Sequence, residues 1–150
     1  LKPARPLSPA MVKKQYEALE KELEEARGSL YHFTIRMRSD DRLIGFARIF
    51  WIEWSNGCAS LQLGIGDAAD RRHGYGSETL RLLLRFAFSE LNLYRLSAVV
   101  PEYNAGALRL FEKFGFTIEV RRRQVLNRDG RRWDMIHFGM LRDEWLSQKN

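Results

Sequence analysis

The stretch Leu61-Gln62-Leu63-Gly64-Ile65-Gly66-Asp67-Ala68-Ala69-Asp70-Arg71-Arg72-His73-Gly74-Tyr75-Gly76-Ser77-Glu78 decides how this chain is read. After Gly76 the apolar period changes from two to 3.6, and Leu80, Leu83, Leu84, Ala87, Phe88 and Leu91 form a stripe opposite Arg81, Arg85 and Glu90. The quoted segment is therefore a strand, a glycine-rich turn and the start of a helix. Such a turn is an anion cradle: glycine lets the backbone approach closely, the first helical N–H groups lack internal partners, and the helix dipole favours negative charge there. Arg71 and Arg72 add to that field. Three readings compete. Gly74 and Gly76 shape a tight turn and nothing more; or Gly64-Ile65-Gly66-Asp67-Ala68-Ala69 is a dinucleotide fingerprint; or Arg71-x-x-Gly74-x-Gly76 surrounds a pyrophosphate. The second is set aside, because a dinucleotide-binding helix begins at once after its second glycine, and here Gly74 and Gly76 would interrupt it.

Outward from this segment the pattern is regular. Pro3, Pro6 and Pro9 make an extended arm, and Ser8-Pro9 reads as a cap and first position of a helix that Gly28 closes. Tyr31 to Arg38 and Leu43 to Trp54 are rich in aromatic and β-branched residues and predict a hairpin. Asn56-Gly57 predicts a turn into a third strand over about Cys58 to Ile65. Leu96 to Val100 is a short buried strand, and Asn104 caps a helix that Gly115 ends. Phe116 to Met140 forms two strands around Asn127-Arg128-Asp129-Gly130, and a last helix begins near Arg142. The order predicts an α/β (α+β) fold: one mixed, mostly antiparallel sheet flanked by helices.

The 150 residues suit one domain, expected to occupy 1–150. Hydrophobic residues make up 45% and charged residues 29%, which excludes wholesale disorder. A net charge of +6 favours anionic partners such as nucleic acid, acidic protein surfaces or a phosphate-bearing cofactor. One cysteine, Cys58, fits a reducing compartment, and His32, His73 and His137 are too dispersed to suggest a metal. With no apolar run of membrane-spanning length and no leader, a soluble cytoplasmic protein is expected, without membrane association. Because the chain opens on Leu1, its natural N-terminus is expected upstream.

Arg71-x-x-Gly74-x-Gly76 resembles the coenzyme A signature of the GNAT N-acetyltransferases, nearest to the ribosomal-protein N-terminal and polyamine branch. Further motifs follow in family order: Leu43-Ile44-Gly45, Leu63-Gly64-Ile65-Gly66, the helix ending Phe86 to Leu93, Asn104 to Phe116, and the closing Asp129-Gly130, Trp133-Asp134 and Met140-Leu141. The likeness covers about Ser8 to Trp145, and the family's usual first strand is absent before the first helix.

The resemblance implies a sheet splayed at the CoA site and acetyl transfer from acetyl-CoA to an amine. Leu63, Gly64 and Ile65 would pair with pantetheine like an added strand. Arg71, Arg72, His73, Gly74, Tyr75, Gly76 and Ser77 would surround the pyrophosphate, and Asn104 would meet the pantetheine end. Arg109 and Lys113 would reach nucleotide phosphates, against the alternative that they are solvated surface cations. A backbone N–H near Ile65 would stabilise the tetrahedral oxyanion. Many family members carry a tyrosine acid at the position of Phe111 here, so the leaving-group proton falls to Tyr103 or to water. Glu53 is the first candidate base, ahead of Glu102 and Glu119, with an ordinary surface carboxylate as its alternative.

The expected acceptor is a protein N-terminal amine or a small amine. A polyamine would find the five glutamates Glu17, Glu20, Glu22, Glu24 and Glu25 on the first helix, where lysine pairing is the plainer account. Arg121, Arg122, Arg123, Arg128, Arg131 and Arg132 form either a solvated face or a dock for an acidic protein or ribosomal surface. A homodimer is also kept open. Two rival functions remain: a CoA-binding sensor that has lost catalysis, and an RNA-docking protein indifferent to CoA.

Overall fold

The structure is a computed structural model that describes residues 9–25, 28–66 and 74–148. The proline arm with Ser8, and the cradle residues Arg71, Arg72 and His73, lie outside the described residues. The elements are α1 (Pro9–Glu25), β1 (Tyr31–Arg36), β2 (Leu43–Glu53), β3 (Cys58–Ile65), α2 (Tyr75–Arg85), β4 (Arg95–Pro101), α3 (Ala105–Lys113), β5 (Thr117–Arg128), β6 (Arg131–Leu141) and α4 (Arg142–Ser147). The expected order therefore holds, with shifted boundaries. β1 stops before Met37 because that residue turns the chain: its N–H donates to the Arg42 carbonyl at 2.9 Å. The helical stripe does not run as one α-helix either, since Phe86–Glu90 is a π-helical turn.

The strands form one six-stranded sheet in the order β1-β2-β3-β4-β6-β5. All neighbours are antiparallel except β3 and β4. Alternation sorts the side chains onto two faces. One carries Ala47, Ile49, Ala59, Leu61, Leu96, Ala98, Ile136, Phe138 and Met140, all buried against Leu80, Leu83 and Leu84 of α2, Phe88 of the π turn and Phe111 of α3. Burying a leucine there contributes roughly 1.5–3 kcal/mol, so these helices are held chiefly by packing. The opposite face carries Ser60, Ser97 and the exposed Val99. Among the described residues, no helix is long and apolar enough to cross a membrane.

Candidate functional site

The parallel seam is short. β3 and β4 pair only at Cys58↔Arg95, Ala59↔Leu96 and Ser60↔Ser97. Above Ser60 the two strands part, each following its antiparallel neighbour. β3 stays registered with β2 as far as Ile65↔Gly45, and β4 stays with β6 as far as Pro101↔Met135. The β2–β3 edge is drawn tight by glycine: a Cβ on Gly45 would lie 2.1 Å from the Gly64 carbonyl oxygen. Parallel pairing is the weaker kind, so the seam is where the sheet yields. Leu61–Ile65 thus leave backbone groups on one lip of a fork whose other lip is Ala98–Pro101.

The foot of the fork is fastened. The Gly57 carbonyl accepts from the N–H groups of Tyr94 and Arg95 at 2.7 and 3.0 Å, and the Tyr94 carbonyl accepts from Arg142 at 2.7 Å. Arg95 also makes a two-pronged ion pair with Glu119, one contact being 2.8 Å. That carboxylate crosses β6 over Gly139, where a Cβ would lie 2.4 Å from it. The Arg95 hydrogen bonds hold the Glu119 carboxyl below its ordinary range and raise the Arg95 pKa.

At the open end, chain direction brings α2 back with its N-terminus toward the fork. Gly74 is its N-cap, at φ 81° and ψ 3°, with no side-chain cap. The first N–H that a helical carbonyl satisfies is Glu78, which donates to Gly74 at 3.0 Å. The preceding helical N–H groups of Gly76 and Ser77 lack intrahelical acceptors and suit an anion. Among the described residues, a Cβ on Gly74 would meet nothing within 4 Å. α3 runs beside this turn: Lys113 Nζ lies 3.5 Å from Ser77 Oγ, and a Cβ on Gly76 would sit 3.5 Å from a Leu110 methyl. Arg109 is exposed one turn earlier on α3.

The structure thus brings Leu63, Gly64, Ile65, Gly74, Tyr75, Gly76, Ser77, Tyr103 and Asn104 to one end of the sheet. Asn104 caps α3, its Oδ1 accepting from the Ala107 N–H at 3.1 Å. Tyr103 is half-buried, edge-on to Trp133 at 5.7 Å and under the Arg128 guanidinium at 4.3 Å. Phe111 is 4% exposed and stacks on Phe138 at 5.6 Å, so its ring belongs to the core.

Glu53 is not brought to the opening. It pairs with Cys58 at the fastened end, about 17 Å of strand from Leu63, beyond the reach of direct proton transfer to an amine there. The weaker base candidates are committed elsewhere. Glu119 holds Arg95. Glu102 accepts from the Asp134 N–H at 2.9 Å and lies 3.3 Å from Arg121, which reaches Asp134 at 2.7 Å. The Arg121 hydrogen bond, then the Gln124 N–H, lower the Asp134 pKa, and Asp134 raises that of Arg121. Lys113, expected from the sequence with Arg109 to reach phosphates, lies beside the first turn of α2 through the packing of α3 on α2.

Residues 2–117 match the family described as Acetyltransferase (GNAT) domain. The uncharacterized N-acetyltransferase YokL of Bacillus subtilis, derived from the SPbeta prophage, is 32% identical over 111 residues, 74% of this chain and 62% of that protein. The chain thus spans less than two thirds of that relative's length. Spermidine N-acetyltransferase of Vibrio cholerae, solved with CoA and spermine, superposes with a TM-score of 0.77 at 22% identity, covering 87% of this chain and 78% of that one. A Vibrio cholerae structure provisionally assigned as a ribosomal-protein-serine acetyltransferase gives a TM-score of 0.74 at 27% identity, covering 90% and 76%.

Proposed function

The chain belongs to the acetyltransferase (GNAT) family, and from that premise we propose that it transfers the acetyl group of acetyl-CoA to a primary amine by direct attack on the thioester. The observation that carries this reading is the fork above Ser60 and Ser97, with the uncapped N-terminus of α2 beside it. Unpaired strand backbone along Leu63, Gly64 and Ile65 suits an amide-bearing arm added as a strand. N–H groups of Gly76 and Ser77, with Lys113 beside them, suit the diphosphate, and Arg71, Arg72, His73, Tyr75 and Arg109 are proposed to line it. A backbone N–H near Ile65 is proposed to stabilise the oxyanion.

The amine enters as its neutral form, since an ammonium has no lone pair. With Glu53 at the far end, water is proposed to carry that proton away. Tyr103, or water again, returns a proton to the departing thiolate. Turnover at low amine concentration is therefore expected to rise with pH until the amine is deprotonated, near pH 8 for an α-amine and about 10.4 for a lysine-type amine.

The acceptor is proposed to be a protein N-terminal amine, with a small amine such as a polyamine as the second reading. The first is favoured by the arginines of the β5–β6 hairpin, where Arg131 lies 3.8 Å over Trp133 and presents charge suited to an acidic or ribosomal surface. A cytoplasmic setting is proposed from the lone Cys58. Release of free CoA from acetyl-CoA, measured with peptides and with small amines, tests the reading. Cofactor binding without release to any acceptor would instead make the chain a sensor, a role that the core position of Phe111 favours.

A further inference from the structure

On β6, Ile136, Phe138 and Met140 are buried in the core beneath the helices, and alternation sends His137 between them to the opposite face. Register fixes its height in the sheet. His137 stands opposite Val99 on β4 and Val120 on β5. Val99 belongs to the second lip of the fork and is 44% exposed, so the face is open at this point. Counting three residues up each strand from Ser60↔Ser97 sets Leu63 level with Val100, one residue from Val99. His137 therefore lies one strand spacing, about 5 Å, behind the lip, near the level at which the amine meets the thioester.

The ring carries an unmet demand. Its Nε2 is buried and has no hydrogen-bond partner among the described residues. Leaving a buried polar atom unsatisfied costs about 1–3 kcal/mol, which calls for a use that offsets it. The facing residues Val99 and Val120 bring no polar side-chain atom. The charged groups nearest on this face are Arg122, opposite Met135, and Glu119, which is committed to Arg95 across Gly139. Arg95 holds the Glu119 carboxyl below its ordinary range, so this pair does not compete for a proton at neutral pH.

Resting on the acetyl-transfer reading, we propose that His137 is the general base that removes a proton from nitrogen after the amine has added to the thioester carbonyl, directly or through one bridging water. The lone pair of the neutral amine forms the C–N bond and opens the carbonyl to an oxyanion, which leaves nitrogen positive. An N–H bond then breaks and its proton passes to Nε2 of the neutral imidazole. The oxyanion re-forms the carbonyl as the C–S bond breaks, and the thiolate takes its proton from Tyr103 or water. The imidazolium returns its proton to solvent. This proton is distinct from the one that water carries off before attack.

The test measures kcat as a function of pH for wild type and His137→Gln, with trialanine and with spermidine as acceptors. For whichever acceptor is turned over, the variant is expected to lower kcat about a hundredfold, with acceptor KM and calorimetric CoA affinity kept. Wild-type kcat is expected to fall toward acid, since a protonated imidazole has no lone pair to offer, and the variant is expected to lose that fall. His137→Asn, which needs less space, repeats the comparison and guards against a misfolded glutamine variant. Variants that match wild-type kcat at every pH would overturn the inference and leave acetyl transfer standing. A uniform loss that keeps the wild-type pH profile would do the same and assign His137 to packing. A wild-type protein that binds CoA and acetylates neither acceptor would overturn acetyl transfer, and this inference with it.

Discussion

The two ends of the β3–β4 seam are built from the same strands and behave as opposites. At the foot, three registered pairs and two N–H groups on the Gly57 carbonyl keep the strands together, while the Arg95–Glu119 pair ties β4 across β6 to β5. At the top, the same strands are drawn toward β2 and β6 and share no pairing. The difference teaches that the opening is no defect of the sheet. Each strand remains fully bonded to an antiparallel neighbour, and only the weaker parallel seam is released. Backbone groups freed at one end are accessible because the other end is locked.

The largest expected effect comes from filling the open end. Gly74→Asp puts a carboxylate beside the α2 N-terminus and a side chain at φ 81°. CoA affinity by calorimetry is expected to fall at least about a hundredfold, and retained affinity would refute the anion cradle. Next is the tight β2–β3 edge. A methyl group on Gly45 meets backbone rather than a movable side chain. Gly45→Ala is expected to cost about 1–3 kcal/mol in denaturant unfolding, and to weaken CoA binding because β3 must shift.

Smaller again is Lys113→Ala, expected to weaken CoA about three- to tenfold and to flatten the salt dependence of binding. Binding that neither weakens nor loses salt dependence would return Lys113 to the solvated surface. The smallest effect belongs to the locked end. Glu119 has its folded-state pKa depressed by Arg95, so its contribution is present at neutral pH and is lost as pH falls through that depressed value. Glu119→Gln is expected to cost less than about 1 kcal/mol at neutral pH, since the pair is part-exposed. The cost should vanish in acid, and a difference that persists there would assign the effect to packing.

Much of this was legible one residue at a time. The third strand was read at about Cys58 to Ile65, as observed, because the Asn56-Gly57 turn precedes it. The closing helix was expected near Arg142, where it begins. Asn104 was read as a cap, and its side chain caps α3. The face on which Glu53 lies was not legible. A strand's alternation counts residues, and one bulge residue at Trp51 inverts everything after it. The π turn at Phe86–Glu90 escaped for a similar reason: periodicity reports an apolar stripe, not a helix's hydrogen-bond spacing.

By itself, then, the amino-acid order determined the elements and their succession, because caps, glycines and apolar spacing act within a few residues of chain. Tertiary structure alone decided where the seam opens, that Glu53 lies at its fastened end and that Lys113 sits against Ser77. Those outcomes depend on register and on contacts between segments distant in sequence, such as Gly45 against Gly64, Glu119 across Gly139 and Lys113 beside Ser77. The competition between neighbouring strands that sets them exists only once the sheet has formed.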